Sequence, residues 1–248
     1  MTGQVVYESI LQQLRKDKRG LVFSPDEYNS LSVTVDKRIL LAFMSRYEDD
    51  IEITSHMGFL KVIDYPISLS AGVGTLPANY FRMSGDPYYL DTSGNRIFID
   101  VVTSEEYTYR QRDYLTQASL TYPLCVIGAQ NSAKVMQIRV YPNTISTIYL
   151  DYVRDTDSPF LDYYTNSVNL KLYYLSQGET KVIAGNDIYR DGTTGTKVSQ
   201  TVDWEWDDHE LPWIIAYFMQ AIGIALPDDL LVQIGKIDSQ EIQTGKIW

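Results

Sequence analysis

Nucleophilic chemistry in this 248-residue chain would have to run through one cysteine, Cys125, and imidazole chemistry through two histidines, His56 and His209. Cys125 lies in the apolar run Leu124-Cys125-Val126-Ile127, where a free cysteine behaves as a small buried hydrophobe. His56 follows the polar Ser55 with no His or Cys nearby and reads as a surface or interface residue. The densest polar group is Asp203, Glu205, Asp207, Asp208, His209 and Glu210, whose carboxylates could gather around a divalent cation. Half of them alternate along an extended run and half sit where acids favour a helix start, so the helix dipole already accounts for the second half. Gly72-Val73-Gly74 lacks the third glycine of a dinucleotide loop, and residues 192–197 have neither the spacing nor the following helix of a phosphate loop; both read as turns. Glu105 and Glu106 beside Tyr107 and Tyr109 would face opposite ways on a strand and cannot flank one glycosidic bond. They read as a solvated turn. No nucleophile, base and orienting group come together, so the expectation is a protein without a reaction, cofactor or metal.

The elements that must hold these residues fall into three stretches. Val6, Ile10 and Leu14, with Tyr7 and Leu11 beside them, recur at helical spacing and predict a helix over residues 4–18, closed by Arg15, Lys16, Lys18, Arg19 and Gly20. Ser24-Pro25-Asp26-Glu27 is a capping box with Pro at the first helical position, opening a second helix that runs to about Tyr47. From Met57 the period becomes twofold and turn residues recur, which predicts a β domain over residues 57–206. Its strands are expected at 97–102, 124–127, 135–140, 147–154, 168–175 and 196–206. In the last, Val198, Val202, Trp204 and Trp206 would share the packed face, and Ser199, Thr201, Asp203, Glu205 and Asp207 the wet one. Residues 207–248 return to helical signals, with helices at 213–222 and after Pro227-Asp228-Asp229. The expected architecture is α+β: residues 1–56 and 207–248 form a helical subdomain from both chain ends, with a mainly antiparallel sandwich or barrel-like β domain inserted.

Composition narrows the function classes. With 44% hydrophobic residues and 21% charged, disorder as the main state is excluded. The longest apolar run, residues 213–219, is far short of the roughly 20 residues a bilayer span needs, and no secretory leader is legible, so cytosolic synthesis is expected. A net charge of −11 disfavours tight nonspecific DNA binding. Tyr contributes 20 residues against 7 Phe and 4 Trp. Tyrosine favours strands, and it is enriched where protein meets protein.

One order of segments goes further: Arg19-Gly20, Ser24-Pro25-Asp26-Glu27-Tyr28-Asn29, Tyr80-Phe81-Arg82-Met83, Tyr122-Pro123, then Gln137-Ile138-Arg139-Val140-Tyr141-Pro142. It continues with Ile148-Tyr149-Leu150-Asp151-Tyr152-Val153-Arg154 before Pro159 and ends after Asp208-His209-Glu210-Leu211-Pro212. This resembles the ring or adaptor proteins at the head-to-tail neck of short-tailed, crAss-like bacteriophages, which dock beneath the portal; residues 155–158 depart from the pattern. The resemblance implies a virion structural protein of the neck, assembled in the host cytoplasm as a homomeric ring of twelve copies. Its partners would be other copies, the portal protein and the next tail or neck ring, with packaged DNA passing through unbound. An acidic wall suits that passage, because it gains no counterion release from phosphates. The docking candidates are Trp213, Tyr217, Leu230, Leu231, Ile234, Ile237, Ile247 and Trp248. The rival expectation is a receptor- or carbohydrate-binding module of the tail, since exposed tyrosines also stack on sugars.

Overall fold

A computed structural model describes residues 1–16, 23–47, 49–113, 115–130 and 135–223. The chain opens with helices α1 (Gly3–Lys16), α2 (Pro25–Met44) and α3 (Ile51–His56). Strands β1 (Lys61–Ser68), β2 (Val73–Thr75), β3 (Tyr80–Met83), β4 (Tyr88–Leu90), β5 (Arg96–Phe98) and β6 (Asp100–Val101) follow, then α4 (Ser104–Arg110). The remaining strands are β7 (Leu124–Gln130), β8 (Met136–Tyr141), β9 (Thr147–Arg154), β10 (Asp162–Asn166), β11 (Leu172–Leu175), β12 (Thr180–Ile183), β13 (Asp187–Tyr189) and β14 (Gly195–Val198). Helix α5 (Leu211–Ala221) closes the described part. The fold is α+β with mainly antiparallel sheets, and the sheets are open, which replaces the barrel-like expectation. The helix expected after Pro227 and the cap at Gly20 lie outside the described residues.

The chain divides into two compact units, residues 1–54 with 156–248, and residues 55–155. The division differs from the expected insertion at its second boundary, since β10 to β14 belong to the unit that holds the helices. The physical reason lies in α2. Ser24 caps it in a complete capping box: its hydroxyl accepts from the Glu27 amide, and the Glu27 carboxylate accepts from the Ser24 amide at 2.8 Å. One turn on, the Asn29 carboxamide accepts from the Leu161 amide (2.8 Å) and donates to the Leu161 carbonyl (2.9 Å). Ser32 donates to the Pro159 carbonyl and the Tyr163 hydroxyl to Asp26, so three side chains of α2 tie down the start of β10.

The core of this first unit is aromatic. Phe218 of α5 stacks on Tyr28 of α2, with centroids 5.2 Å apart and planes within 3°, and meets Trp204 edge-on. Trp204 donates its indole N–H to the Tyr28 hydroxyl at 2.6 Å, and Trp206 donates its own to the buried Asp36 at 2.8 Å. Trp204 and Trp206 are thus packed as expected, but on an irregular segment after β14, with Thr201 buried and Val198 exposed. Strict alternation fails there because the segment crosses over helices and pairs only once, at Val202 with Phe160. Beside it, Asp162 at the start of β10 is fully buried and accepts from the Tyr189 hydroxyl, from Arg190 Nε (2.9 Å) and from the Gln200 amide (2.9 Å).

In the second unit, β1, β9, β4 and β5 form one sheet in that order, with β3 also on β9. β2, β8, β7 and β6 form another, antiparallel except for the β6–β7 pair. Ile67, Ile148, Leu150 and Tyr152 from the first sheet and Cys125, Ile138 and Val140 from the second share one buried cluster. From Thr147 to Tyr152, β9 alternates half-buried and buried residues, so Thr147, Tyr149 and Asp151 lie on the opposite face from that core.

Candidate interaction surfaces

Of the expected docking residues, the structure describes two. In α5, Ile214, Ala216, Phe218 and Met219 are buried against α1 and α2. Tyr217 is buried with them and offers little surface, while Trp213 is half-buried. Leu230, Leu231, Ile234, Ile237, Ile247 and Trp248 lie outside the described residues. The helix motif that carries the resemblance proves to be architectural. Ser24 caps, Tyr28 accepts the Trp204 N–H, and Asn29 brackets Leu161.

The candidates for chemistry are scattered. Cys125 is fully buried, and burial pushes its thiol up to about 12, with Asp100 and Asp86 adding to the shift. His56 is half-buried at the end of α3, and His209 is exposed in a single turn of 3-10 helix before α5. Asp203 accepts from the Gly3 amide and Glu205 from the Asp157 amide, so two of the six clustered groups fasten backbone. No group of three or more His, Cys, Asp or Glu that could hold a metal occurs among the described residues.

Glu105 and Glu106 sit in a helix, not the expected turn. Thr103 accepts from the Glu106 amide, and Glu106 pairs with Arg110 one turn later at 2.6 Å. The Thr103-x-x-Glu106 spacing was the available signal. Tyr107 of this helix stacks on Tyr141 at 4.1 Å, and burial together with that contact raises its phenol to about 12.

The second unit also carries an arrangement invisible in the chain order. Strand register places Pro66 beside Tyr149, Tyr149 beside Tyr88, and Tyr88 beside Phe98, one residue from each of β1, β9, β4 and β5. Antiparallel partners project from the same face, so the four form a row across the sheet. Tyr88 stacks on Tyr149 with centroids 5.2 Å apart and meets Phe98 at 6.2 Å. Arg96 lies over the Tyr88 ring at 4.4 Å, and Asp64 accepts from both the Tyr88 hydroxyl (2.6 Å) and Arg96 (3.2 Å). That bond to Asp64 is the main cause of the raised Tyr88 pKa. The row ends on β5, the edge of its sheet, where Phe98 is 61% exposed. Leu90, one step along β4, is also exposed, as are Leu115, Leu120 and Tyr122 in the segment before β7.

Charge is divided unevenly between the units. Residues 55–155 carry 8 Lys and Arg against 9 Asp and Glu; the remainder carry 13 against 23. Almost the whole net charge therefore belongs to the first unit. None of the described helices is long and apolar enough to cross a membrane. No known family model matches the chain, and no curated protein is significantly similar to it.

Proposed function

We propose that this protein is a structural subunit of a phage neck, an adaptor ring that joins copies of itself between portal and tail and carries out no reaction. The observation that carries the reading is the aromatic row ending at an open sheet edge in the near-neutral unit. Phe98 supplies exposed, rigid contact area at low entropic cost, Tyr88 beside it being buried, and an unpaired edge strand is a ready template for another chain. Like-charge repulsion between copies is weakest where net charge is close to zero. A closed ring of twelve copies uses a heterologous contact, in which two different faces of one subunit meet. The ordered resemblance to neck adaptors supplies the partners, namely the portal and the next ring.

The test is native mass measurement of the purified full chain, alone and mixed with portal, followed by cryo-electron microscopy of the virion neck. The expected result is a ring-sized assembly on portal and density for this chain beneath it. Absence of the chain from the purified neck, or a monomer that ignores portal at every concentration, overturns the proposal.

A further inference from the structure

The second unit contains a cleft of about 480 Å³ between the β4–β5 hairpin, residues 120–121 and the 144–149 segment. Its apolar surface comes from Leu90, Ile97, Leu120 and Ile145, with Tyr89 and Tyr149 beside them. One rim is fixed by the Tyr89 hydroxyl, which donates to the Leu120 carbonyl at 2.6 Å. The other lining residues are polar, and their chemistry is uniform. Thr92, Thr121, Thr144, Ser146 and Thr147 all bear hydroxyls, and among the described residues none of these, nor the Tyr149 hydroxyl, hydrogen-bonds to protein. The lining holds no Lys, Arg or His. Its one charged member, Asp91, is committed: its oxygens accept from the Ser93 amide, the Asn95 amide and the Asn95 side chain, which holds its carboxyl below the ordinary range.

We infer that this cleft binds a neutral saccharide. A phosphate or sulfate would find no cation among the lining residues, and one carboxylate, already accepting from Ser93 and Asn95, is too small a ligand set for a metal. A wholly apolar ligand would strip water from six hydroxyls and return no hydrogen bonds. A sugar matches both parts, because its C–H faces pack on tyrosine and aliphatic surface while its hydroxyls exchange hydrogen bonds with groups that both donate and accept. The volume lies within the range of small-molecule sites. The same chemistry serves a free sugar and a residue within a surface glycan. The inference does not rest on the neck assignment.

Ligand-observed NMR and calorimetry on the full chain test it, with glucose, galactose, N-acetylglucosamine and their linear oligomers as probes, and sialic acid and a sulfated disaccharide as charged controls. The expected result is saturable binding of at least one neutral probe and none of the charged ones. Oligomers that bind tighter than the monosaccharide identify a glycan chain as the ligand; equal affinities identify a free sugar. Thr144→Val should weaken binding by about threefold to tenfold, the value of one hydrogen bond. Thr144→Phe, or Thr92→Phe from the β4–β5 turn should the first misfold, should abolish it without changing the assembly state. Lack of saturable binding by any neutral probe, preference for a charged one, or binding that survives a folded plugging variant overturns the inference.

Discussion

Asp36 illustrates how individual residues hold the first unit together. Its carboxylate is buried in α2 and accepts from the Trp206 indole at 2.8 Å and from the Thr156 hydroxyl. Asp36→Leu removes the acceptor but leaves two buried donors, so a loss of about 2–4 kcal/mol is expected in a denaturant titration. A midpoint within error of the parent would mean that water or another group satisfies the indole. A second residue-scale effect depends on pH. Burial is the main cause of the raised phenols of Tyr7 and Tyr28 and of the raised thiol of Cys125. In the folded chain these groups keep protons that the unfolded chain releases from about 9.0 for the thiol and 10.0 for the phenols. The folded state then binds more protons, and the stability they contribute is whole below pH 9 and falls as pH rises toward 12. Urea midpoints at about pH 8 and about pH 10.5 should differ, the second being lower. Equal midpoints would contradict the burial of these groups.

Among the elements, the turn between β1 and β2 shows where one residue decides local geometry. Gly72 has φ +78°, and a Cβ there would come within 2.6 Å of both the Asn143 side chain and the Val140 carbonyl oxygen. Gly72→Ala therefore meets strain and a backbone clash together, and a loss of about 2 kcal/mol or more in thermal or urea unfolding is expected. Tolerance of the change would show that the turn sits differently. This turn was legible in the sequence, as were the capping box of α2, the stripe of α1 and the span of β9, because each rests on contacts within a few residues. Helix α3 was not, since the second helix was expected to end near Tyr47 with nothing helical before Met57, whereas Asp50 accepts from the amide of Ile53 and opens a new turn. The 196–206 run was legible only in part. Its two tryptophans are buried, but by α2 and α5 and not by a sheet.

For the molecule as a whole, the partition of charge governs how copies can meet. The near-neutral unit bears the Pro66–Tyr149–Tyr88–Phe98 row, while the other unit bears almost all the excess acid. Self-association through the row would still bring the acidic units of neighbouring copies into one assembly, so screening should help. Sedimentation of the full chain at about 20 mM and about 300 mM salt should show more assembly at the higher concentration. Phe98→Asp should shift it back toward monomer at both. Assembly weakened by salt, or indifferent to Phe98→Asp, would place the contact elsewhere. By itself, the sequence determined what local chemistry can specify: helix starts, turn positions, strand periods, the buried character of Cys125 and the excess of tyrosine. Only the tertiary structure decided that β10 to β14 join the helices and that Tyr217 is core. It alone brought four residues between positions 66 and 149 into one row and gathered hydroxyls from three segments around one cleft. Those outcomes depend on strand register and on side-chain brackets such as Asn29 to Leu161, which link positions more than a hundred residues apart and leave no periodic trace along the chain.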